Sequence, residues 1–347
     1  MKKMLSNNPI LVTNKDNIFY LTRFLPSYEH EVFIVFSPKE NLFITDARII
    51  DLVKGKIFKN FTVVEKNHSY PLSQILVDFL KKNKLKKLAY EKSNLTVLEY
   101  ENLSKKLKGI KLIGTDNVIE KQRTVKNKAE INLIKKAAQI TDKTFTEILP
   151  LINSNITEKE LVWKIKAIIN KNSADSAFEP IVASGIGSSI PHYISQNKKV
   201  GNNTLVLLDF GARYKEYCSD MTRVIFVGKP NTQIRNLYNS VVKAQEKALK
   251  SKTNIAKEID KITRDSIIKD GFPSIPHGVG HGVGIAIHEN PRLNPKSKDI
   301  LTNGMVFTVE PGIYIPNLGG VRIEDLVILS NSGIEVLSKT NKKLIEL

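Results

Sequence analysis

Four acidic residues, Asp209, Asp220, Glu310 and Glu324, stand at the ends of apolar runs or inside them. An unpaired charge there is costly unless a cation lies beside it. Asp209 ends the run "TLVLLDF" and Asp220 opens the return "DMTRVIFV", so the two meet across a β-hairpin or a bulged version of one. Glu310 closes "MVFTVE" and Glu324 lies within "VRIEDLVIL" after a Pro/Gly-rich turn. Each acid alone reads plainly as the cap of a turn, but two facing carboxylates repel, and one keeps its proton unless a cation intervenes. Between the two pairs lies "HGVGHGVGIAIHE", whose alternating glycines allow close backbone approach and deliver His277, His281 and His288. The G-x-G-x-x-G spacing of a dinucleotide site and the HExxH of a single-zinc helix are both absent. Four carboxylates balance two divalent cations, with His281 as a neutral nitrogen donor and room for a bridging hydroxide. Two such ions, about 3.5–4 Å apart, activate a shared water for attack on a carbonyl. Oxygen-rich ligation with one imidazole suits Mn, Co, Fe or Zn.

The elements that must position these residues follow from periodicity. After a turn-rich stretch at 114–122, Ile131, Ile134, Ala138, Thr141, Phe145 and Ile148 recur at helical steps up to Pro150. A second helix, 157–171, opens with Thr157 and Glu160 in capping-box spacing, and Trp163 is assigned to its core face. Further helices are expected at about 232–250 and 254–270. The first 115 residues read as a small α/β domain. Strands are expected at 18–21, 32–36, 42–45 and 61–64, and helices at "DARIIDLV" and "PLSQILVDFLKK". No metal-ligand cluster or phosphate loop occurs in that half, and its His30 and His68 read as isolated surface histidines. Domains are therefore drawn at 1–118 and 119–347.

With 347 residues and 41% hydrophobic content, the chain has material for two cores. The formal charge of +18 raises nucleic acid as a partner, but the lysines are scattered and no basic run is interleaved with stacking aromatics, so none is expected. Clusters such as Lys81, Lys82, Lys84, Lys86 and Lys87 read as solvated helix ends and turns. Cys218 is the single cysteine, which requires no oxidising compartment and fits the cytoplasm. No apolar signal core follows Lys2 and Lys3, and no window approaches a membrane span, so a soluble, unprocessed protein is expected.

The phrases "VASG…PHY" (182–193), "LLDFGARYKEYCSDMTR", "GHGVG…HENP", "TVEPGIY" and "GGVRIED" resemble the dinuclear pita-bread metallopeptidases: methionine aminopeptidase, aminopeptidase P and prolidase. "FYLTRF" and "TDAR" resemble the creatinase-type N-terminal domain found in the Xaa-Pro branch. The resemblance implies an α+β fold, with a curved antiparallel sheet covered by helices behind a smaller α/β domain. It implies two divalent ions, expected to be manganese, with Asp209 chelating one, Asp220 and Glu324 bridging both, and His281 and Glu310 completing the second. It casts Glu310 as proton acceptor, and His192 and His288 as the histidines that stabilise the tetrahedral intermediate and handle the leaving nitrogen. His277 and Arg322 are placed near substrate, and Thr222 and Thr308 as hydroxyls that orient ligands. The implied activity is cleavage between an N-terminal residue and a following proline, of the aminopeptidase P type, with a dipeptide-only prolidase as the alternative and a homodimer expected. A non-catalytic binding module of the same fold is a remote alternative. Glu216 and Arg23 stand where the family often has glycine, and Val224 where it often has threonine.

Overall fold

The computed structural model describes residues 8–26, 31–54 and 60–347; His30 lies outside them. The chain divides into two compact units, Met1–Arg123 and Thr124–Leu347.

In the first unit the elements run β1 (Ile10–Val12), α1 (Lys15–Thr22), β2 (Phe33–Phe36), β3 (Asn41–Thr45), α2 (Ile50–Lys54), β4 (Phe61–Glu65), α3 (Leu72–Lys82), β5 (Lys87–Glu91), α4 (Val97–Lys106), β6 (Lys111–Thr115) and α5 (Glu120–Thr124). The strands form one sheet in the order β4-β3-β2-β1-β5-β6. Successive side chains point to opposite faces, so Leu11, Val35 and Ile44 pack with Leu76 and Phe79 of α3, while Ile10, Ile34 and Phe43 pack with Ile18 of α1 and Val53 of α2. This is an α/β/α sandwich. The segment 18–21 is not a strand: it belongs to α1, where Asn14 caps the Asn17 amide and places Ile18 and Phe19 on one buried side. The aromatic content of "IFYL" pointed to a strand, and the N-cap decided otherwise. His68 and the lysines of the 81–87 cluster are exposed.

The second unit opens with α6 (Lys128–Ile148) and α7 (Glu158–Lys171), each begun by a capping box, Asn127/Glu130 and Thr157/Glu160. Then follow β7 (Asp175–Ser176), β8 (Ile181–Ser184), β9 (Thr204–Phe210), β10 (Ala212–Tyr214), β11 (Tyr217–Cys218), β12 (Met221–Val227), α8 (Thr232–Leu249) and α9 (Ala256–Lys269). The chain ends in β13 (Gly280–Gly282), β14 (Glu289–Leu293), β15 (Val306–Val309), β16 (Gly312–Ile315), β17 (Gly319–Arg322), β18 (Asp325–Ser330), β19 (Gly333–Val336) and β20 (Ile345–Glu346). One sheet is ordered β20-β12-β9-β8 and a second β14-β13-β15-β18-β19, with β16-β17 as a separate hairpin. β9 is apolar from Leu205 to Leu208 because both its faces are covered. Leu205 and Leu207 join a core with α8 and α9, and Val206, Leu208 and Phe210 join another with α6 and α7. This is the curved sheet between helix layers that the sequence leads one to expect.

Trp163 is the second correction. It is 67% exposed, because the buried stripe of α7 runs through Leu161, Val162, Ile165 and Ile169, whereas Trp163 and Ala167 share the outward face.

Candidate metal centre

The site is built from strand ends of the second unit. β9 and β12 pair antiparallel with Asp209 opposite Thr222, and the β10–β11 excursion between them lets Asp220 arrive two residues before that partner. β15 and β18 pair with Val309 opposite Asp325, which sets Glu310 and Glu324 just beyond the paired ends; Glu324 lies in the break between β17 and β18 rather than within a strand. Backbone bonds tie these ends together, Glu324 N–H to the Thr222 carbonyl (3.1 Å) and Glu310 N–H to the Val279 carbonyl (2.8 Å). Between them β13 brings in His281. Its approach depends on glycine. A Cβ added at Gly280 would lie 2.0 Å from the Thr308 carbonyl oxygen, and one at Gly282 2.1 Å from that of Asn290.

Asp209, Asp220, His281 and Glu324 are all buried, and oxygen or nitrogen atoms of Asp220, His281 and Glu324 lie within 4.8 Å of one another. His281 Nε2 is 3.6 Å from Asp220 Oδ2 and 3.4 Å from Glu310 Oε1. The other ring nitrogen, Nδ1, sits 3.2 Å from the Gly282 carbonyl, which can only accept, so the proton is on Nδ1 and the Nε2 lone pair faces the two carboxylates. A lone pair and two carboxylates pointed at one another are reconciled either by a retained proton or by a cation in between. Asp209 Oδ1, Asp220 Oδ1 and Glu324 Oε1 are likewise buried with no hydrogen-bond partner. The donor set therefore fits divalent metal.

Electrostatics agree. Burial, reinforced by the neighbouring carboxylates, pushes Asp220 and Glu324 well above the usual range, and burial raises Glu310 to about 7. Asp209 is also raised by burial, although the Arg322 guanidinium opposes the shift. Burial and the neighbouring His288 lower His281 to about 3, keeping it a neutral donor.

Supporting hydroxyls and one guanidinium fix the acids. Arg322 donates Nε to Thr222 Oγ1 (3.0 Å), Nη1 to the Tyr314 hydroxyl (3.0 Å) and Nη2 to Asp209 Oδ2 (2.5 Å). Thr222 in turn donates to Glu324 Oε2 (2.6 Å). Thr308 Oγ1 accepts from the His281 amide (3.1 Å) and donates to Glu310 Oε1 (3.2 Å). His277 Nδ1 donates to the Gly278 carbonyl (2.7 Å), so its Nε2 accepts from the Tyr314 hydroxyl (2.8 Å); burial lowers its pKa to about 4. Both ring nitrogens of His277 are thus engaged.

Asp209, Asp220, His277, His281, Glu310, Arg322 and Glu324 border one cavity of about 310 Å³, with Thr222, Thr308 and Tyr314 bonded behind them. His192 and His288 line it, the latter with its ring 4.3 Å from that of His281. Phe178, Ile181, Pro191 and Ile287 supply an apolar wall, and Arg292 and Asn294 a polar one. All eleven residues singled out from the sequence converge here. Tyr314 and Arg292 were missed. Tyr314 carried a signal only in standing four positions after Glu310 in "TVEPGIY"; Arg292 carried none beyond its place after "HENP".

Comparison with known proteins matches the same architecture. The Metallopeptidase family M24 covers residues 132–331, and the Creatinase/Prolidase N-terminal domain covers residues 8–125. The Uncharacterized peptidase YqhT of Bacillus subtilis (strain 168) is 36% identical over 340 residues, 97% of this chain and 95% of that protein. Among solved structures, the Xaa-Pro dipeptidase from Bacillus anthracis is similar at a TM-score of 0.93 and 36% identity, covering 98% of this chain and 95% of that one. The X-Pro aminopeptidase from Thermotoga maritima MSB8 is similar at 0.90 and 30% identity, covering 99% of each. With its buried Asp/His/Glu centre and its creatinase-type N-terminal domain, the chain belongs to metallopeptidase family M24 and is a peptide-bond hydrolase of the pita-bread, Xaa-Pro peptidase type.

Proposed function

We propose that the chain hydrolyses the bond between an N-terminal residue and a following proline, with Asp209, Asp220, His281, Glu310 and Glu324 holding two divalent ions. The observation that carries this reading is the His281 Nε2 lone pair set against Asp220 and Glu310 inside a cavity of peptide size. When bound, the ions supply a water ionised near neutral pH and polarise the scissile carbonyl. Glu310, oriented by Thr308 and buried beside the proposed metal site, is the carboxylate placed to take up the proton of that water. His192 and His288 border the cavity, where they donate to the developing oxyanion and to the leaving proline nitrogen. The oxygen-rich donor set suits manganese, and cobalt, zinc or iron also fit. A homodimer in the cytoplasm completes the reading; light scattering checks the first part.

Within that activity, one residue favours dipeptides over the longer peptides of an aminopeptidase P. Arg292 lines the cavity and is exposed, and among the described residues its guanidinium makes no hydrogen bond or ion pair, whereas every donor arm of Arg322 is committed. The C-terminal carboxylate is the one negative charge common to all peptides, and a dipeptide brings it into the cavity beside the scissile bond. Turnover of an Xaa-Pro dipeptide and an Xaa-Pro-Xaa tripeptide by the Mn-loaded protein tests both levels. Hydrolysis of neither removes the Xaa-Pro assignment. Equal rates on both, unaffected by Arg292→Gln, remove the dipeptide preference; a KM for dipeptide raised at least tenfold in Arg292→Gln supports it.

A further inference from the structure

The loop that presents His192 has no helix or strand from Ile190 to Lys198, and of its larger apolar side chains only Tyr193 packs against the core. Ile186, Ile190 and Ile194 are 58%, 52% and 77% exposed. One carboxylate, that of Glu158, 0% exposed at the first turn of α7, reaches both feet of the loop, beside two further ties, Val182 N–H to Ser195 Oγ (2.9 Å) and Lys159 N–H to the Gln196 carbonyl (3.3 Å). Glu158 Oε1 accepts from the amide (2.8 Å) and hydroxyl (2.7 Å) of Ser184, where β8 ends and a 3-10 turn, Gly185–Ser189, leads into the loop. Its Oε2 accepts from the Gln196 amide (2.9 Å) and the Tyr193 hydroxyl (3.1 Å), where the loop returns. Lys198 Nζ, 3.3 Å from Oε1, neutralises the charge and also donates to the Ser184 carbonyl. The main chain repeats the attachment, Glu158 N–H donating to the Lys198 carbonyl at 3.1 Å. On its inner side the loop leans on β17, where Ser188 Oγ accepts from Gly320 N–H at 2.8 Å, two residues before Arg322.

We infer that Glu158 is a positioning residue that fixes His192 over the metal centre by tying both feet of its loop to α7. Charged acceptors make the stronger hydrogen bonds, and a buried carboxylate with one set of donors on each oxygen defines the separation of the two feet. Glu158→Gln keeps the volume but turns one oxygen into a donor that opposes the N–H and O–H groups of one foot.

The kinetic part of the test rests on the Xaa-Pro reading; the spectroscopic part does not. In full-length Mn-loaded protein, Glu158→Gln is expected to lower kcat by about 10²-fold, the scale of a misplacement of about 1 Å, with KM and metal content unchanged. In a His192→Ala background, the same substitution is expected to cause no further loss. Losses that multiply in the double variant, or a fall in bound metal, would overturn the inference. Independently, the His192 imidazole resonance of the metal-free protein, assigned among six histidines by its disappearance in His192→Ala, is expected to shift in Glu158→Gln while that of exposed His68 stays. An unmoved His192 signal overturns the inference whatever the substrate proves to be. Absence of Xaa-Pro turnover in the parent protein, with a shifted His192 signal, overturns the function reading alone. Should Glu158→Gln not fold, Ser184→Ala and Tyr193→Phe each loosen one foot, and a His192 signal unmoved in both refutes the anchoring.

Discussion

Arg322 Nη2 lies 2.5 Å from Asp209 Oδ2, and the other Asp209 oxygen has no partner. The guanidinium thus holds the carboxylate by one edge and leaves the other edge for metal. Arg322→Lys retains the charge but cannot reach Thr222, Tyr314 and Asp209 together. Metal affinity is expected to fall by about 10- to 100-fold, in the manner of other groups that orient ligands. Titration calorimetry with Mn measures this, and unchanged affinity would show that Asp209 needs no such support.

Metal removal should lower the melting temperature of the parent protein, because metal binds the folded site and not the unfolded chain. Asp220→Asn should then separate affinity from stability. Its carboxyl is raised by burial first and by Glu324, Asp209 and Glu310 next, so the amide relieves repulsion in the metal-free form. Scanning calorimetry is expected to show metal-free Asp220→Asn melting no lower than the metal-free parent, with the metal-induced rise abolished. A large destabilisation of the metal-free variant would contradict the repulsion.

Glu216 and Arg23 adopt φ of 69° and 58°, the left-handed region that costs an L side chain about 1 kcal/mol or more. Glu216→Gly and Arg23→Gly are each expected to raise unfolding stability by several tenths to about 1 kcal/mol, less whatever their side chains contribute by contact. Urea denaturation of the metal-loaded protein measures the change, and destabilisation by both substitutions would show that contacts outweigh strain.

Tyr238 is buried with its hydroxyl 2.9 Å from the Lys342 carbonyl, and burial raises its pKa to about 12. A folded-state value above the unfolded value of about 10 means that the stabilisation is complete below pH 10 and is lost as pH rises toward 12. Tyr238→Phe should cost about 1 kcal/mol at pH 8. Since one pKa unit corresponds to about 1.4 kcal/mol, that gap should vanish near pH 11 and then reverse. Parallel urea curves from pH 8 to 11.5 check it; a pH-independent gap would mean the hydroxyl does not titrate in this window.

The proposed metal ligands stood out in the sequence because acids at the ends of apolar runs break the strand pattern, and the fold brings the strand ends bearing Asp209, Asp220, Glu310 and Glu324 together. Arg23 and Glu216 were also visible, as side chains where glycine is usual; that both occupy positive φ is the physical content of the departure. The misassignments were of another kind. Residues 18–21 went to a strand because aromatic content outweighed the capping Asn14, and Trp163 went to the core because its spacing to Leu161 and Ala167 was read without asking which stripe is buried. Tyr314 and the proposed role of Arg292 stayed hidden because the hydrogen bonds of the first, and the uncommitted guanidinium of the second among the described residues, show only in side-chain placement.

Gly280 and Gly282 lie against the carbonyls of Thr308 and Asn290, so β13 touches its neighbours backbone to backbone on both sides of His281. Main-chain distances of that kind do not change when side chains elsewhere are exchanged. The imidazole is therefore referenced to the peptide framework itself, and cores repacked at Phe307, Val309 or Leu293 should forfeit melting temperature well before they forfeit ligand geometry.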